Sequence, residues 1–396
     1  MTIQVDELWT AIAALATILM GARITRGVPW LARYNIPPAV TGGLIVAAVL
    51  GIFSAWRGVQ IDFADTLRNA LLLVFFAAVG FSAKLRRIAS GGRAVLAMCA
   101  LIAVLAVLQS GIGVALAAAF GKPLGLGVFV GGVSFLGGHG TAVAWAESEL
   151  ASQIPGALDV GLVCATLGLV TGAIVAGVVG TRLAEHAPKA EGHALAMPEE
   201  APWPEDAWVS DRWLRVLLWM AAAIGLGLTV RPFVMSYFNV TVPAFLAVLL
   251  SAVVLTNVAD LVRLRIDHAA CDLIGTLALR VFLAIAMMGI RLSTVGAEVG
   301  LIVVATLAQV SLAVALAVLV IYPVMRGRDG AVAAGGFIGV AIGAMPVSLA
   351  AMNRLMLTYG PAPRAFLAVS LAGALFTDTA NALVVQTMLT WFGPPQ

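Results

Sequence analysis

A short glycine-rich stretch with polar residues interrupts an otherwise hydrophobic chain at Gly131–Trp145, which reads GGVSFLGGHGTAVAW. Glycines allow the backbone to turn sharply, and N–H groups exposed where a helix begins form a ready site for a carboxylate. Close packing between helices would explain Gly131 and Gly132 equally well, but not a His and a Thr at the tip. The stretch is therefore predicted to bind substrate, through Gly138, His139, Gly140 and Thr141.

His139 admits two other roles. As a neutral donor it could cap backbone carbonyl groups, and its ordinary pKa near neutrality would also allow coupling to protons. A single histidine is weak support for proton coupling, so substrate binding is the preferred interpretation.

A carboxylate falls inside a predicted helix core at Asp378, in the sequence FTDTANALVV. An unpaired, ionised carboxylate at membrane depth needs a cation, a partner or a proton. With Thr377 and Asn381 within one turn, it predicts an oxygen-rich Na⁺ site at Asp378 and Asn381, to which Ser134 is added. The alternative is an ion pair with Arg280 that holds two helices together.

Three further polar residues lie in predicted spans. Gln109 and Gln309 occupy equivalent places in two long apolar segments, and either face a binding site or join helices by hydrogen bonds. Arg280 lies about 12 Å into its helix at 1.5 Å per residue. Its guanidinium group suits a carboxylate substrate, and a structural pair with Asp378 stays equally open.

The composition indicates that these residues belong to an integral membrane protein. The chain of 396 residues is 61% hydrophobic and 11% charged, with a mean hydropathy of +1.03. A soluble domain could not bury that much apolar surface against itself. Apolar runs predict ten spanning helices, at residues 8–20, 39–53, 67–81, 94–120, 158–183, 214–234, 244–258, 273–290, 299–324 and 365–389.

Two further apolar segments, residues 124–145 and 330–352, are rich in glycine and have a polar or proline-containing centre. A broken helix there would leave unpaired backbone groups, so both are predicted as re-entrant hairpins. This choice places most of the 23 Lys and Arg residues on one side. The positive-inside rule then puts both termini in the periplasm and the central loop in the cytoplasm, whereas twelve crossings would divide the charge.

The two halves of the chain resemble each other. IPPAVTGGLIVAAVL after Asn35 corresponds to VTVPAFLAVLLSAVV after Asn239, and QSGIGVALA to QVSLAVALA. Five spans and a hairpin in each half force the second copy to enter the membrane inverted. The predicted organisation is a repeat at residues 1–185, a linker at 186–211 and an inverted repeat at 212–396, as in secondary transporters whose site lies where the repeats meet.

The chain resembles the bacterial sodium/glutamate symporters along nearly its whole length. The motifs that carry the resemblance are GGHGTAVAW, LRNALLLVFFAAVGFSA, FLAIAMMGIRL and FTDTANALVV. The resemblance implies an all-α inner-membrane carrier, dimeric, working by an elevator-like movement. It implies L-glutamate as substrate, Na⁺ as coupling ion, no enzymatic cofactor and no nucleic-acid partner.

In the second half the sequence departs from the pattern of that family. A small polar residue is more usual where Arg280 stands, and the second hairpin usually ends in Gly-Ala-Thr-Pro. Here the predicted substrate-binding tip reads Gly343, Ala344, Met345 and Pro346. Loss of a hydroxyl group and gain of a positive charge would weaken a cation site, so a carrier of another small carboxylate, coupled to Na⁺ or H⁺ or only weakly coupled, is the alternative.

Two other classes fit the sequence poorly. A channel would need a continuous polar pore lining, and the polar residues here are isolated points. An intramembrane hydrolase would need paired catalytic groups, and Ser134 and His139 share one short hairpin without an acid to orient them. The chain is therefore predicted to be a transporter and not an enzyme.

Overall fold

The computed structural model describes residues 2–28, 37–84, 92–185, 211–238, 241–264, 266–290 and 292–394. Helices make up nearly all of these residues, so the prediction of a helical membrane protein is confirmed at that level. The predicted linker at residues 186–211 lies outside the described ranges except for Asp211, where a helix begins.

The helices are numbered in chain order, and two of them continue into five-residue π-helical stretches, π1 and π2. Their bounds are α1 Glu7–Gly27, α2 Pro38–Arg57, α3 Asp65–Ser82, α4 Gly92–Ala119, α5 Leu124–Val128, π1 Phe129–Val133, α6 Gly138–Ala146, α7 Ala157–Glu185, α8 Asp211–Phe238, α9 Ala244–Leu261, α10 His268–Met288, α11 Leu292–Leu316, π2 Ala317–Ile321, α12 Tyr322–Met325, α13 Gly327–Ile342, α14 Met345–Tyr359, α15 Pro363–Leu375 and α16 Thr377–Phe392.

Within the described ranges, eight helices are long and apolar enough to cross a membrane, and the bent pair α15–α16 would make a ninth. The sequence predicted ten. One difference is α2, whose apolar stretch Pro38–Ser54 is shorter than the other spans. The other is residues 365–389, where the prediction of one continuous helix is wrong. The chain bends there by 48° at Phe376, and Asp378 lies in the first turn of the new helix, where negative charge is favoured.

Two short strands also depart from the all-helical prediction. β1, Thr2–Gln4, pairs in parallel with β2, Gln60–Asp62, in the register Thr2 with Gln60. Three residues are too few to show an alternating pattern in the sequence. The pair ties the start of the chain to the segment between α2 and α3.

The helices pack in two groups. The first, called the support group, comprises α1, α2, α3, α8, α9 and α10. Its centre is the contact of α3 with α10, where Gly275 lies against Ala78. On either side of this contact, α9 packs against α3 and α2 packs against α10. The second, called the hairpin group, comprises α4 to α7 and α11 to α16, and α7 lies at its centre.

Residues 124–146 form the first hairpin of that group. Phe129 on its first arm and Ala142 on its second arm both lie beside Gly161 of α7. Phe135, close to the turn, lies beside Gly168, two helical turns further along α7. The two arms therefore run in opposite directions along the same helix.

Residues 327–359 form the second hairpin, whose arms α13 and α14 extend beyond the predicted 330–352. Gly339 faces Ser348 across the two arms, and Gly336 faces Met352. The turn falls at Gly343, where the backbone leaves the helical region with φ −127° and ψ −85°. As in the first hairpin, the arms are antiparallel.

The two turns meet on α7 at Gly168. A Cβ atom there would lie 3.0 Å from Cδ1 of Phe135 in the first hairpin. It would also collide with the carbonyl oxygen of Ile342 in the second hairpin. A glycine at this position lets both turns pack directly on the backbone of one helix.

Replacement of this glycine tests the contact. We expect Gly168→Ala to lower the free energy of unfolding by about 1–3 kcal/mol, because an added methyl group overpacks a filled interior. The matched control is Gly177→Ala in the same helix, where nothing lies within 4 Å of the new atom. Thermal unfolding of the purified variants in detergent measures the difference, and equal midpoints for the two would contradict this packing.

Candidate binding site at the two backbone breaks

The first hairpin breaks at Gly131, whose φ of −121° and ψ of −131° interrupt π1. A break in a buried helix frees carbonyl groups that need new donors. The carbonyl oxygen of Phe129 accepts from Oγ of Ser134 at 2.6 Å, and that of Gly132 accepts from Nδ2 of Asn381 at 3.0 Å. The Val130 oxygen lies 3.4 Å from Nε2 of Gln309. Side chains thus supply donors to these carbonyl groups, and the N–H of Gly137 also donates to that of Gly132 at 3.1 Å.

Gln109 and Gln309 each reach a hairpin that lies in the other half of the chain. Nε2 of Gln109 donates to the carbonyl oxygen of Ala341, in the second hairpin, at 2.8 Å. Nε2 of Gln309 donates to the carbonyl oxygen of Gln109 at 2.9 Å, in addition to its contact with Val130 of the first hairpin. Both side chains are fully buried. Their amide nitrogens join helices, while both Oε1 atoms have no partner within the described residues.

The turn of the first hairpin holds the four residues predicted there. Gly138, at φ +73°, begins α6 with open space around the position of a Cβ. Nε2 of His139 lies 3.0 Å from Oγ1 of Thr166, which itself donates to the carbonyl oxygen of Leu162. The imidazole is therefore assigned as the donor. Thr141 donates to the carbonyl oxygen of Gly137 at 2.9 Å.

Gly140 lies at the contact between the two helix groups. A Cβ on it would lie 3.0 Å from the ring of Phe75 and 3.4 Å from Leu279. Arg280 follows Leu279 on α10 and is exposed. The predicted alternative of an ion pair between Arg280 and Asp378 is not present among the described residues.

The turn of the second hairpin is less polar. Ala344 has an extended backbone, and its N–H donates to the carbonyl oxygen of Gly339 at 2.9 Å. Met345 packs its sulfur against Gly373 of α15, and Pro346 is exposed in the first turn of α14. The structure thus places these predicted residues at the turn beside α15, while the first hairpin carries more of the polar side chains.

The predicted ion-binding residues lie in two places. Ser134 is part of the first hairpin and Asn381 contacts it, whereas Thr377 and Asp378 lie at the start of α16. Asn381 is fully buried and points its amide to Gly132 in the first hairpin. The Thr377 hydroxyl donates instead to the carbonyl oxygen of Ala372, and that of Ser134 to Phe129. Asp378 is half-buried and makes no ion pair within the described ranges.

Ser110 is a residue of this region that the sequence interpretation missed. It is fully buried on α4, and its Oγ has no partner within the described residues. Ser110 directly follows Gln109 in an apolar helix. This position next to another polar residue was the feature of the sequence that could have indicated it.

Comparison with known proteins identifies the family. The family model described as sodium/glutamate symporter matches residues 3–361 of the chain. Sodium/glutamate symporters of Escherichia coli (strain K12) and Shigella flexneri are each 33% identical over 395 residues, which is 98% of this chain and of each relative. The chain belongs to the sodium/glutamate symporter family. The symporter of Haemophilus influenzae (strain ATCC 51907 / DSM 11121 / KW20 / Rd) is 31% identical over 391 residues, or 95% of both chains. The predictions of a carrier and not an enzyme, and of this family, are confirmed.

Ion pairs join the two helix groups of this family member at one end of the molecule. Arg68 of α3 lies 2.7 Å from Glu147, which follows α6, and also pairs with Asp65. Arg231 of α8 pairs with Glu149, two residues further on. In the sequence, Lys and Arg residues near helix ends served only to predict the membrane topology, because no local pattern indicates which carboxylates they pair with.

Glu147 has a pKa above its ordinary value. Burial is the largest cause, and the Arg68 guanidinium opposes it only in part. Because the folded-state pKa is raised, the contribution of this group to stability is complete at low pH. It is lost as the pH rises through the raised pKa.

A neutral replacement of Glu147 tests the direction of this pH dependence of stability. We expect the midpoint of thermal unfolding of Glu147→Gln to rise relative to that of the unmodified protein as the pH increases from the ordinary carboxylate range towards neutrality. Arg68 keeps Asp65 as a partner in the variant. The measurement is scanning fluorimetry in detergent across that range, with Glu149→Gln, an exposed carboxylate, as the control. Parallel pH profiles for Glu147→Gln and the unmodified protein would contradict the raised pKa.

Proposed function

We propose that the chain imports L-glutamate together with Na⁺ across the bacterial inner membrane. The relatives at 33% identity over 98% of both chains are named sodium/glutamate symporters, and the match extends over nearly the whole chain. The geometry agrees with this function, because two hairpin turns meet in the interior and buried polar side chains lie in the same hairpins. The meeting of the two hairpin turns on Gly168 is the observation that carries the proposal.

The proposed architecture consists of inverted repeats at residues 1–185 and 212–396, each with one re-entrant hairpin. Corresponding helices make corresponding contacts, since α1 packs on α2 as α8 packs on α9, and α2 on α10 as α9 on α3. The distribution of Lys and Arg supports periplasmic termini and a cytoplasmic central loop. A homodimer is part of the proposal by family resemblance.

The substrate is proposed to bind at the turns of the two hairpins. Gly138 starts α6 with space in front of it, and backbone N–H groups there suit a carboxylate. Leu279 contacts Gly140 of this turn, so the exposed guanidinium of Arg280 is one residue away along α10. A charged, bidentate donor at this place suits the second carboxylate of a dicarboxylic amino acid. The turn at Gly343–Pro346 is proposed to close the site from the other side.

Na⁺ is proposed to bind between the first hairpin and the start of α16. Asp378 supplies a carboxylate without an ion-pair partner among the described residues, and Asn381 supplies an amide directed at the hairpin. Moving the single net negative charge of glutamate against 100 mV costs about 2.3 kcal/mol, so one Na⁺ cancels that cost and a second would make the potential drive uptake.

Movement of the hairpin group against the support group is proposed as the mechanism of alternating access. The two turns and both glutamines lie within the hairpin group and would move as a unit, whereas Arg280 lies on α10 of the support group. The pairs Arg68–Glu147 and Arg231–Glu149 cross between the groups at the end proposed to be periplasmic. They would hold that end closed in the state described.

Uptake by proteoliposomes tests the transport function. We expect an inward Na⁺ gradient to drive accumulation of radiolabelled L-glutamate, and glutamate to evoke an inward positive current if two or more Na⁺ accompany it. Electrically silent but Na⁺-dependent uptake would limit the coupling to one Na⁺.

A thermal-shift screen of amino and hydroxy acids, with and without Na⁺, identifies the substrate class. Stabilisation by a hydroxy acid and not by glutamate would overturn the assignment.

Cross-linking tests the movement. We expect a bifunctional thiol reagent to block uptake in the double variant Arg231→Cys/Glu149→Cys, because these positions belong to different groups. The matched control is Lys122→Cys/Glu298→Cys, whose native ion pair of 2.6 Å lies within the hairpin group. The native thiols Cys99, Cys164 and Cys271 are buried. Equal inhibition of both variants, or of neither after complete cross-linking, would contradict relative movement of the groups.

A further inference from the structure

The imidazole of His139 is held in one orientation at the turn of the first hairpin. Its Nε2 lies 3.0 Å from Oγ1 of Thr166 on α7. The Thr166 hydroxyl donates its own proton to the carbonyl oxygen of Leu162, at 2.8 Å. A hydroxyl group has a single proton to donate, so Oγ1 can only accept from the ring. The proton of the His139–Thr166 contact therefore lies on Nε2.

The second ring nitrogen of His139 is then an acceptor. A charged imidazolium in this interior would need a counter-ion, and His139 makes no ion pair within the described ranges. The ring is therefore assigned as neutral. A neutral imidazole with its proton on Nε2 carries a lone pair on Nδ1.

This acceptor borders free space. His139 is only 8% exposed, and its Nδ1 has no hydrogen-bond partner among the described residues. Nor is Nδ1 one of the fully enclosed polar atoms of those residues that lack a partner, so water or a ligand can reach it. At the neighbouring Gly138, nothing lies within 4 Å of the position of a Cβ. A buried side chain thus presents an accessible acceptor beside the open start of α6.

Backbone donors lie at the same turn. α6 begins at Gly138, and the N–H groups of its first turn have no partner within the helix, so they suit a carboxylate. Nδ1 belongs to the next residue of that helix. An α-amino acid carries its carboxylate and its ammonium group on one carbon atom, so the two groups can reach these donors and this acceptor together. A dicarboxylate without nitrogen offers Nδ1 no proton.

A purely structural role accounts for only one of the two ring nitrogens. The contact of Nε2 with Thr166 joins the hairpin to α7, but it leaves Nδ1 without a function. The alternative of capping a backbone carbonyl group is not present among the described residues, because Nε2 faces a hydroxyl group instead. A ligand that donates a proton to Nδ1 completes the hydrogen bonding of the ring.

We infer that Nδ1 of His139 accepts a hydrogen bond from the α-ammonium group of the substrate, and that Thr166 is the positioning residue that keeps this nitrogen unprotonated. This deepens the proposed function and rests on it. The substrate class is then an α-amino acid and not a dicarboxylate without nitrogen. A buried acceptor gives this selectivity because it is left unpaired when the ligand lacks the donor.

Binding of glutamate and of glutarate to purified protein in Na⁺ buffer tests the assignment, because glutarate is glutamate without its ammonium group. The readout is the concentration of each compound for half-maximal thermal stabilisation. We expect His139→Gln, which has no acceptor at the place of Nδ1, to raise the glutamate concentration by about tenfold or more and to leave that of glutarate unchanged. His139→Asn, whose Oδ1 takes the place of Nδ1, should keep the preference for glutamate.

Variants of Thr166 test its positioning role. Thr166→Val removes the acceptor for Nε2, so the proton can occupy either ring nitrogen, and the preference for glutamate over glutarate should narrow. Thr166→Ser keeps the hydroxyl group and should restore the preference. The control is Thr306→Val on α11, whose hydroxyl donates to the carbonyl oxygen of Ile302 in the same helix at 2.7 Å. It should leave the preference unchanged.

The outcomes separate this inference from the proposed function. If the unmodified protein binds neither compound and shows no Na⁺-dependent uptake of glutamate, the proposed function fails. If it takes up glutamate, but His139→Gln and Thr166→Val keep its preference for glutamate over glutarate, the role of Nδ1 is wrong. Equal weakening of both compounds in these variants would also overturn it, since that result indicates a structural role only. Each of the two variants decides the test should the other not fold.

Discussion

The structure depends on hydrogen bonds that replace those lost where the two hairpins break. Each break leaves carbonyl groups in an interior without water, where an unpaired group is costly. Gln109, Gln309 and Asn381 supply the donors, and all three are fully buried. Because Gln109 serves the second hairpin and Gln309 the first, each half of the chain completes the backbone of the other.

The same constraint explains where glycine is required. At Gly168 the chain of one hairpin passes so close to α7 that a Cβ would collide with the Ile342 carbonyl oxygen. At Gly132 a Cβ would lie 2.8 Å from Oγ of Ser110 and 3.1 Å from Oδ1 of Asn381, so the glycine lets two neighbouring helices pack closely against the hairpin backbone.

The sequence predicted the helical membrane class, the family and the places where the backbone breaks, because these follow from apolar length, motif and glycine-rich polarity. It missed the break at Phe376, because the polar residues Thr377, Asp378 and Asn381 were interpreted as an ion site inside one continuous helix. The partners of Gln109 and Asn381 could not be predicted either, because they lie 232 and 249 residues away in the chain. Ser110 was overlooked because one hydroxyl in an apolar helix is common between packed helices. The cross-group pairs Arg68–Glu147 and Arg231–Glu149 depend on tertiary contacts that no local pattern encodes.

The unbroken course of α7 has a consequence for symmetry. In the proposed repeats its counterpart is the pair α15–α16, which bends by 48° at Phe376 and starts a new helix with Asp378 in its first turn. α7 runs through 29 residues without such a bend. Exact inverted repeats would have two equivalent polar corners, one facing each side of the molecule. Because α7 lacks the bend of α15–α16, the two halves of the proposed repeat differ chemically, and exchange of the halves would not restore the same molecule.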